Sequence, residues 1–349
     1  MNILEKYMKR CLDLAQLGAG NVSPNPMVGC VIVQNNIIIG EGFHEKYGAA
    51  HAEVNAVNSV KNQELLKEST LYVSLEPCAH FGLTPPCAGL IVSKKIPHVV
   101  IGVIDSFAKV AGKGIERMIK AGIDVQVGVL EKECRELNKR FFIFHEKKRP
   151  YISLKWAETS DGFIDFDRTK SEFGGPTWIT GGKALVHVHQ MRAVEDAILV
   201  GTNTALKDNP SLTVRHCPGR NPVRLLIDNH LRLPNTLRLF DGTVKTIIFN
   251  SLKSENVGNT EFVKIDFGKK IIPQILKMLY QQNIQSLIVE GGKQLLESFI
   301  NSNQWDEAHR FIGDKFFSNG IKAPEISGKI VHSEKFDSDQ LFIYRNNSN

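Results

Sequence analysis

Apolar positions along the chain fall in short runs separated by stretches of helical spacing. In the first half, Val28 to Val33, Thr70 to Leu75, His98 to Val103 and Asp124 to Val129 are short and rich in apolar and β-branched residues, and each reads as a strand. Asn35-Asn36 turns the first of them into Ile37-Ile38-Ile39. Helical stretches lie between: Met1 to Gln16, a segment from Ala50, one from Pro85, one near Gly114–Ala121 and one from Glu131. Thr84 before Pro85-Pro86 predicts an N-cap with prolines in the first helical turn. Such alternation predicts a three-layer α/β/α sandwich.

The polar run His145-Glu146-Lys147-Lys148-Arg149-Pro150 closes this half, so the domain change is placed there, with domains 1–146 and 147–349. The second half again alternates. Its strand candidates are Tyr151–Trp156, Ala197–Val200, Val223–Asp228, Thr246–Phe249, Phe262–Ile265 and Ser286–Val289, with Asp306 to Phe316 and Lys335 to Tyr344 closing the sheet. Two glycine turns, Gly201-Thr202-Asn203-Thr204 and Gly291-Gly292-Lys293-Gln294, follow strands and lead into helices. Such a turn presents backbone N–H groups to an anion. Neither has the GxGxxG spacing, and most glycine turns after strands are only turns.

Composition narrows the class. A chain of 349 residues with 42% apolar content is sized for two packed cores. Six cysteines do not make a disulfide scaffold at this length, and Cys11, Cys30, Cys134 and Cys217 read as buried thiols, which points to a reducing, cytoplasmic setting. The opening helix carries charges throughout and is not a signal peptide; no run approaches the roughly 18 apolar residues of a membrane span. The net charge of +6 is modest for this length and would help attract a phosphorylated substrate or cofactor. Nucleic acid is not expected, because no basic stripe is interleaved with aromatics and the densest basic run, Lys147-Lys148-Arg149, is short.

Chemistry concentrates between His51 and Cys87. A catalytic zinc takes three protein ligands and keeps one position open, and His51, Cys78 and Cys87 supply such a set. Glu53, two residues from His51, would stand beside the metal and move protons. An HxE pair also arises by chance, and two cysteines are often buried hydrophobes; their order, with Pro77 before the first cysteine, is that of the zinc deaminases. Eight residues separate the cysteines, where the usual form has two.

His51-Ala-Glu53, the run Glu76-Pro77-Cys78 to Thr84-Pro85-Pro86-Cys87, and Asn25-Pro26-Met27-Val28-Gly29 resemble the RibD family of bifunctional riboflavin-biosynthesis enzymes, in which the long loop between cysteines is normal. In the second half Lys155, Ser160-Asp161-Gly162, Trp178, Arg192, the turn at Gly201, Asp208-Asn209-Pro210-Ser211-Leu212-Thr213-Val214-Arg215 and Glu290-Gly291-Gly292 resemble its reductase domain. The resemblance implies a cytidine-deaminase-like domain followed by a dihydrofolate-reductase-like one, one Zn2+ and NADPH. It implies deamination of a diaminopyrimidinone ribose phosphate, then reduction of its ribosyl group to a ribityl chain. It implies substrate contacts at Asn25, His80, Lys155, Arg192, Leu212, Arg215 and Glu290, with Arg192 and Arg215 on the phosphate. Cofactor contacts would fall at Glu158, Trp178, Thr204, Asp208, Gly292 and Lys293, and the loop Asp105 to Gly114 would hold the ribose phosphate of the first reaction. A homo-oligomer, dimer or tetramer, is implied as well.

The chain departs from the family at Leu83, where a basic residue is usual, at Ser106 and Pro176, and along the charged segment Asp165 to Gly175, read as a flap or a surface insertion. Two rival readings are a nucleic-acid-editing deaminase, which lacks its basic groove, and a structural zinc domain, for which His80 would be the fourth ligand. A third is that one half has lost activity.

Overall fold

A computed structural model describes residues 2–81, 85–107, 111–169 and 172–347. The chain forms two compact units, Met1–Lys148 and Arg149–Asn349.

In the first unit the elements are α1 (Ile3–Gln16), β1 (Gly29–Gln34), β2 (Ile37–Phe43), α2 (Ala52–Ser59), β3 (Thr70–Leu75), α3 (Cys87–Ser93), β4 (His98–Val103), α4 (Lys113–Lys120), β5 (Asp124–Val127), α5 (Glu131–Leu137) and α6 (Lys139–Lys147). The sheet order is β2-β1-β3-β4-β5, antiparallel among the first three strands and parallel from β3 onward. Alternate residues of β3 enter two separate cores. Leu71 and Val73 pack with Ala52, Ala56 and Ile91, and Tyr72 packs with Tyr7, Met8 and Leu12. One sheet buried on both faces by helices is the expected three-layer sandwich.

Local differences have local causes. α3 begins at Cys87 with Pro86 extended at its cap, because Pro85 precedes another proline and is biased away from helix; Thr84, expected as the cap, lies outside the described residues. β5 stops at Val127, as Gly128 and then Leu130 take positive φ. The helix from Glu131 is two helices broken at Asn138 (φ −105°), whose side chain is committed elsewhere: it accepts from the Met27 N–H and donates to the Met27 carbonyl, each at 2.8 Å.

The second unit comprises β6 (Tyr151–Glu158), β7 (Phe163–Asp165), α7 (Gly182–Val194), β8 (Ala197–Gly201), α8 (Thr202–Asp208), β9 (Val223–Ile227), β10 (Thr246–Asn250), β11 (Glu255–Val257) and β12 (Thr260–Lys264). It continues with α9 (Ile271–Gln281), β13 (Ser286–Val289), α10 (Lys293–Asn301), β14 (Glu307–Ile312), β15 (Ile321–Lys322), β16 (Lys329–Phe336) and β17 (Asp339–Arg345). Ten strands form one sheet, β11-β12-β10-β9-β8-β13-β6-β14-β17-β16, parallel from β12 to β14 with antiparallel strands at both edges. Leu199 and Leu287 face a core with α9 and α10, while Ile198 and Ile288 face one with α7. The run Lys335 to Tyr344, read as one strand, is a hairpin: Asp337 turns the chain at φ +55°. Among the described residues no helix is long and apolar enough to cross a membrane.

Candidate metal centre and reductase cavity

Three segments carry the metal-ligating side chains. His51 caps α2 with extended backbone (ψ 164°), Cys78 follows the end of β3, and Cys87 is the first residue of α3. His51 Nδ1 is 3.6 Å from Cys78 Sγ and 3.3 Å from Cys87 Sγ, and the three donor atoms lie within 4.8 Å of one another. The Cys87 N–H donates to Cys78 Sγ at 3.3 Å, and the Ala88 N–H to the Cys78 carbonyl at 3.1 Å, so the N-terminal turn of α3 holds the first cysteine. Hydrogen bonds from Cys87 and His51 hold the Cys78 thiol well below its ordinary range, while Cys87 is pushed up as the partner that keeps the proton. One imidazole nitrogen and two sulfurs, one readily a thiolate, are the donor set a zinc ion takes. Among the described residues no fourth donor joins them.

Glu53 is buried in the first turn of α2 and contacts the Cys87 thiol. Burial, then the Cys78 thiolate, push its carboxyl up to about 7. A carboxyl of that affinity both accepts and returns a proton near neutral pH.

Around these lie the expected pyrimidine contacts. Asn25 Nδ2 is 3.1 Å from His44 Nε2, and His44 Nδ1 is 3.0 Å from the Ala50 carbonyl. The carbonyl requires a proton on Nδ1, so His44 is neutral and accepts from Asn25; burial also pulls its pKa down. The amide of Asn25 is thereby oriented by a histidine whose ring stands 5.4 Å from that of His51. Asn138 did not stand out in the sequence as a support of this motif. His80 turns its ring edge toward Phe107 at 6.1 Å, and its Nδ1 is buried without a hydrogen-bond partner among the described residues.

Glu76 has a role of its own. Its buried carboxylate accepts from the N–H groups of Asp105 (3.3 Å), Gly112 (2.9 Å), Gly114 (2.9 Å) and Ile115 (3.4 Å). The loop from Asp105 is thus wound around one anion. Gly114 is required there, since a Cβ would stand 2.0 Å from the Pro77 carbonyl oxygen. Ala108, Lys109 and Val110 in that loop, and Gly82, Leu83 and Thr84 between the cysteines, lie outside the described residues. Glu76→Gln keeps the volume and removes the charge; hydrogen bonds to a charged group are worth roughly 1.5–3 kcal/mol. The expected result is a KM for deamination raised about tenfold with the reductase step unchanged, measured by separate assays of the two reactions.

In the second unit a cavity of about 850 Å3 opens at the C-terminal ends of β6, β8, β9 and β13. Lys155, Trp178, Arg192, Thr204, Asp208, Leu212, Arg215, Glu290, Gly292 and Lys293 all line it. Glu158 does not. On β6 Lys155 and Ala157 are half-buried, while Glu158 is buried and accepts from Trp156 Nε1 at 2.7 Å and Arg310 Nη2 at 2.5 Å. Two-residue alternation along the strand turns the Glu158 side chain away from the cofactor it was expected to meet.

The two glycine turns meet at Thr204. A Cβ on Gly292 would stand 3.2 Å from Thr204 Oγ1, and Gly291 has φ +127°, a conformation open to glycine. Beside them the buried Glu290 accepts from Arg192 Nε at 2.7 Å and Nη2 at 2.6 Å, with Lys155 Nζ at 4.0 Å. Leu212, buried at φ +53°, lines the same cavity. The charged segment from Asp165 folds against the cavity through Arg168, which pairs with Asp165 and Asp208 and donates to the Gly175 carbonyl at 2.7 Å; Lys170 and Ser171 lie outside the described residues. Trp178 is 53% exposed at the rim.

Comparison with known proteins gives these sites a context. The family described as "RibD C-terminal domain" matches residues 150–336, and that described as "Cytidine and deoxycytidylate deaminase zinc-binding region" matches residues 1–103. The chain is 39% identical over 330 residues to the riboflavin biosynthesis protein RibD of Aquifex aeolicus, spanning 92% of this chain and 90% of that one. It is 38% identical over 340 residues to that of Bacillus amyloliquefaciens, spanning 95% and 90%. The crystal structure of a diaminohydroxyphosphoribosylaminopyrimidine deaminase/5-amino-6-(5-phosphoribosylamino)uracil reductase from Thermotoga maritima superposes with a TM-score of 0.89 at 38% identity, covering 99% of both chains. Acinetobacter baumannii RibD superposes at 0.88 with 29% identity over 98% of both.

Proposed function

This chain belongs to the RibD family, the bifunctional deaminase–reductases of riboflavin biosynthesis, and on that premise we propose which of its residues carry each reaction. It is a zinc-dependent deaminase and an NADPH-dependent reductase acting on a pyrimidine ribose phosphate. We assign the deaminase to residues 1–148 and the reductase to 149–349, since the boundary expected at 146/147 would cut α6.

In the deaminase half, His51, Cys78 and Cys87 would hold the zinc, which when bound would lower the pKa of a water so that it can serve as the nucleophile for C2 of the pyrimidinone. Glu53 takes a proton from the attacking side and returns it to the departing amine. Asn25, held by His44, and His80, set against Phe107, border the ring, and Glu76 shapes the loop over the ribose phosphate. The observation that carries this reading is the buried Glu53 against the trio of donors within 4.8 Å.

In the reductase half the cavity would hold NADPH, which when bound would supply a hydride for C1′ of the ribosyl group. The Gly291–Gly292 turn, Thr204, Asp208, Trp178 and Lys293 border the cofactor, with Ala157 in place of the Glu158 side chain. Lys155, Glu290 and Arg192 form the charged wall beside the ribose, Leu212 packs against the substrate, and Arg215 faces the phosphate. We place the enzyme in the cytoplasm, in keeping with six free thiols, and propose a homo-oligomer, which light scattering of the purified protein would test.

The assay that tests the two-step reading follows ammonia release and NADPH oxidation separately, with the diaminopyrimidinone ribose phosphate as substrate. Ammonia without NADPH and NADPH oxidation after deamination is the expected pattern; zinc-loaded protein that releases no ammonia would overturn it. Cys87→Ser is expected to bring zinc content from about one per chain to near zero, measured by elemental analysis, because a hydroxyl is a poor ligand where a thiolate is required.

A further inference from the structure

His189, on α7, is fully buried in the wall of the reductase cavity. Its Nδ1 accepts from the backbone N–H of Arg215 at 3.0 Å. A backbone N–H only donates, so Nδ1 carries no proton and the ring is neutral, with its proton on Nε2. Burial, then the charges of Arg192 and Arg215, favour that state and pull the pKa down to about 4. Nε2 itself is buried and has no hydrogen-bond partner among the described residues. The ring of His216 stands edge-on at 4.6 Å, so the imidazole grips two successive residues of one loop.

That loop is tied to α7 twice. Arg192, one turn further along the same helix face, donates from Nη1 to the Thr213 carbonyl at 3.4 Å while Nε and Nη2 hold Glu290. Val214 donates its N–H to Asn221 Oδ1 at 2.8 Å, and His189 takes the N–H of Arg215. The Arg215 side chain lines the cavity and donates from Nη1 to Thr213 Oγ1 at 3.1 Å. His189 has no surface open to solvent and so has none to offer a ligand. Its reach into the cavity is through Arg215.

We propose that His189 is a positioning residue for the reductase reaction: it holds the Arg215 backbone, and thereby the side chain that lines the cavity, without touching substrate or cofactor. The proposal rests on the reading of Arg215 as a substrate contact of a reductase. Loss of the acceptor leaves the Arg215 amide unpaired and frees the loop to shift, and a displacement of about 1 Å in a positioning group can cost about 100-fold.

Two substitutions separate the hydrogen bond from the packing. His189→Leu keeps apolar volume and removes the acceptor; His189→Asn loses volume but sets Oδ1 where Nδ1 stood. In the full-length protein, His189→Leu is expected to raise KM for the deaminated substrate about tenfold, with kcat within about threefold of wild type. The Kd of NADPH, from fluorescence titration, and ammonia release should stay within about twofold of wild type. His189→Asn should keep KM within about threefold even though it melts at a lower temperature. If His189 only filled space, the smaller side chain would do more harm, so an Asn variant no better than the Leu variant overturns the proposal. A Leu variant with the KM of wild type overturns it too. On an Arg215→Gln background, His189→Leu should raise KM no further, because it acts through that residue; additive effects would count against it. Should the Leu variant fail to fold, the Asn variant decides, with KM near wild type in favour and a tenfold rise, or about that, against. A wild-type protein that oxidises no NADPH with this substrate would instead remove the reading on which the proposal rests.

Discussion

Glu53→Gln is expected to abolish ammonia release while zinc content and NADPH oxidation remain. Glu53 is 3% exposed, and its carboxyl borders the cysteine that opens α3. Two residues along a helix is a rotation of about 200°, so a ligand at the cap and a carboxyl at Glu53 serve different tasks from one short turn. Burial holds that carboxyl up at about 7, the range in which one group can take a proton and give it back. Gln fills the same volume and cannot titrate, so metal binding by His51, Cys78 and Cys87 persists. Positioned proton transfer contributes about 10^2 to 10^4 in rate, and the variant should lose at least that much. The assay is ammonia release by the zinc-loaded variant, with reduction of pre-deaminated substrate as the control within the same molecule. Residual deamination within about tenfold of wild type would remove Glu53 from the proton path.

Glu290→Gln is expected to cost both reduction and stability. Glu290 is buried between Arg192 and Lys155. Burial alone would raise its pKa; the charges of Arg192 and Lys155 and the hydrogen bonds from Arg192 outweigh it and hold the carboxyl at about 2. Removing one partner of such a pair leaves buried positive charge uncompensated and costs about 3–5 kcal/mol.

The pH dependence has a definite sign. The folded carboxyl titrates below its ordinary value of 4.5, so its stabilisation is present above 4.5 and is lost as pH falls from there toward about 2. That stabilisation is roughly 3 kcal/mol. Chemical unfolding should therefore show a wild-type advantage near neutral pH that shrinks through this window. A constant gap between wild type and variant would mean that Glu290 is not the group responsible.

How much of this was legible in the chain differs by element. That His51, Cys78 and Cys87 come together was legible because few residue types ligate zinc, and they lie in short segments whose strand and helix signals are plain. The alternation of strands and helices was legible because apolar period survives without knowledge of partners. The hairpin Lys329 to Arg345 was not, since its first strand is almost wholly exposed and carries little apolar pattern. The orientation of Glu158 was not legible either: the chain order picks out the end of β6, but which side chain faces the cavity depends on which face of β6 meets the helices. Supports such as Asn138 on Met27, 111 residues away, and Arg168 on Asp208, 40 residues away, have no local signal at all.

The sequence by itself determined the two domains' class, the metal-ligating trio with its carboxyl, and the stretches that border the reductase cavity, because each depends on residue type and short-range spacing. The tertiary structure alone decided which charges are already spent. Arg192 and Arg215 both line one cavity, and only the fold that brings Glu290, at the end of β13, beside Arg192 of α7 neutralises the one and leaves the other without a carboxylate partner among the described residues. Strand order sets those distances, and charge pairing follows distance.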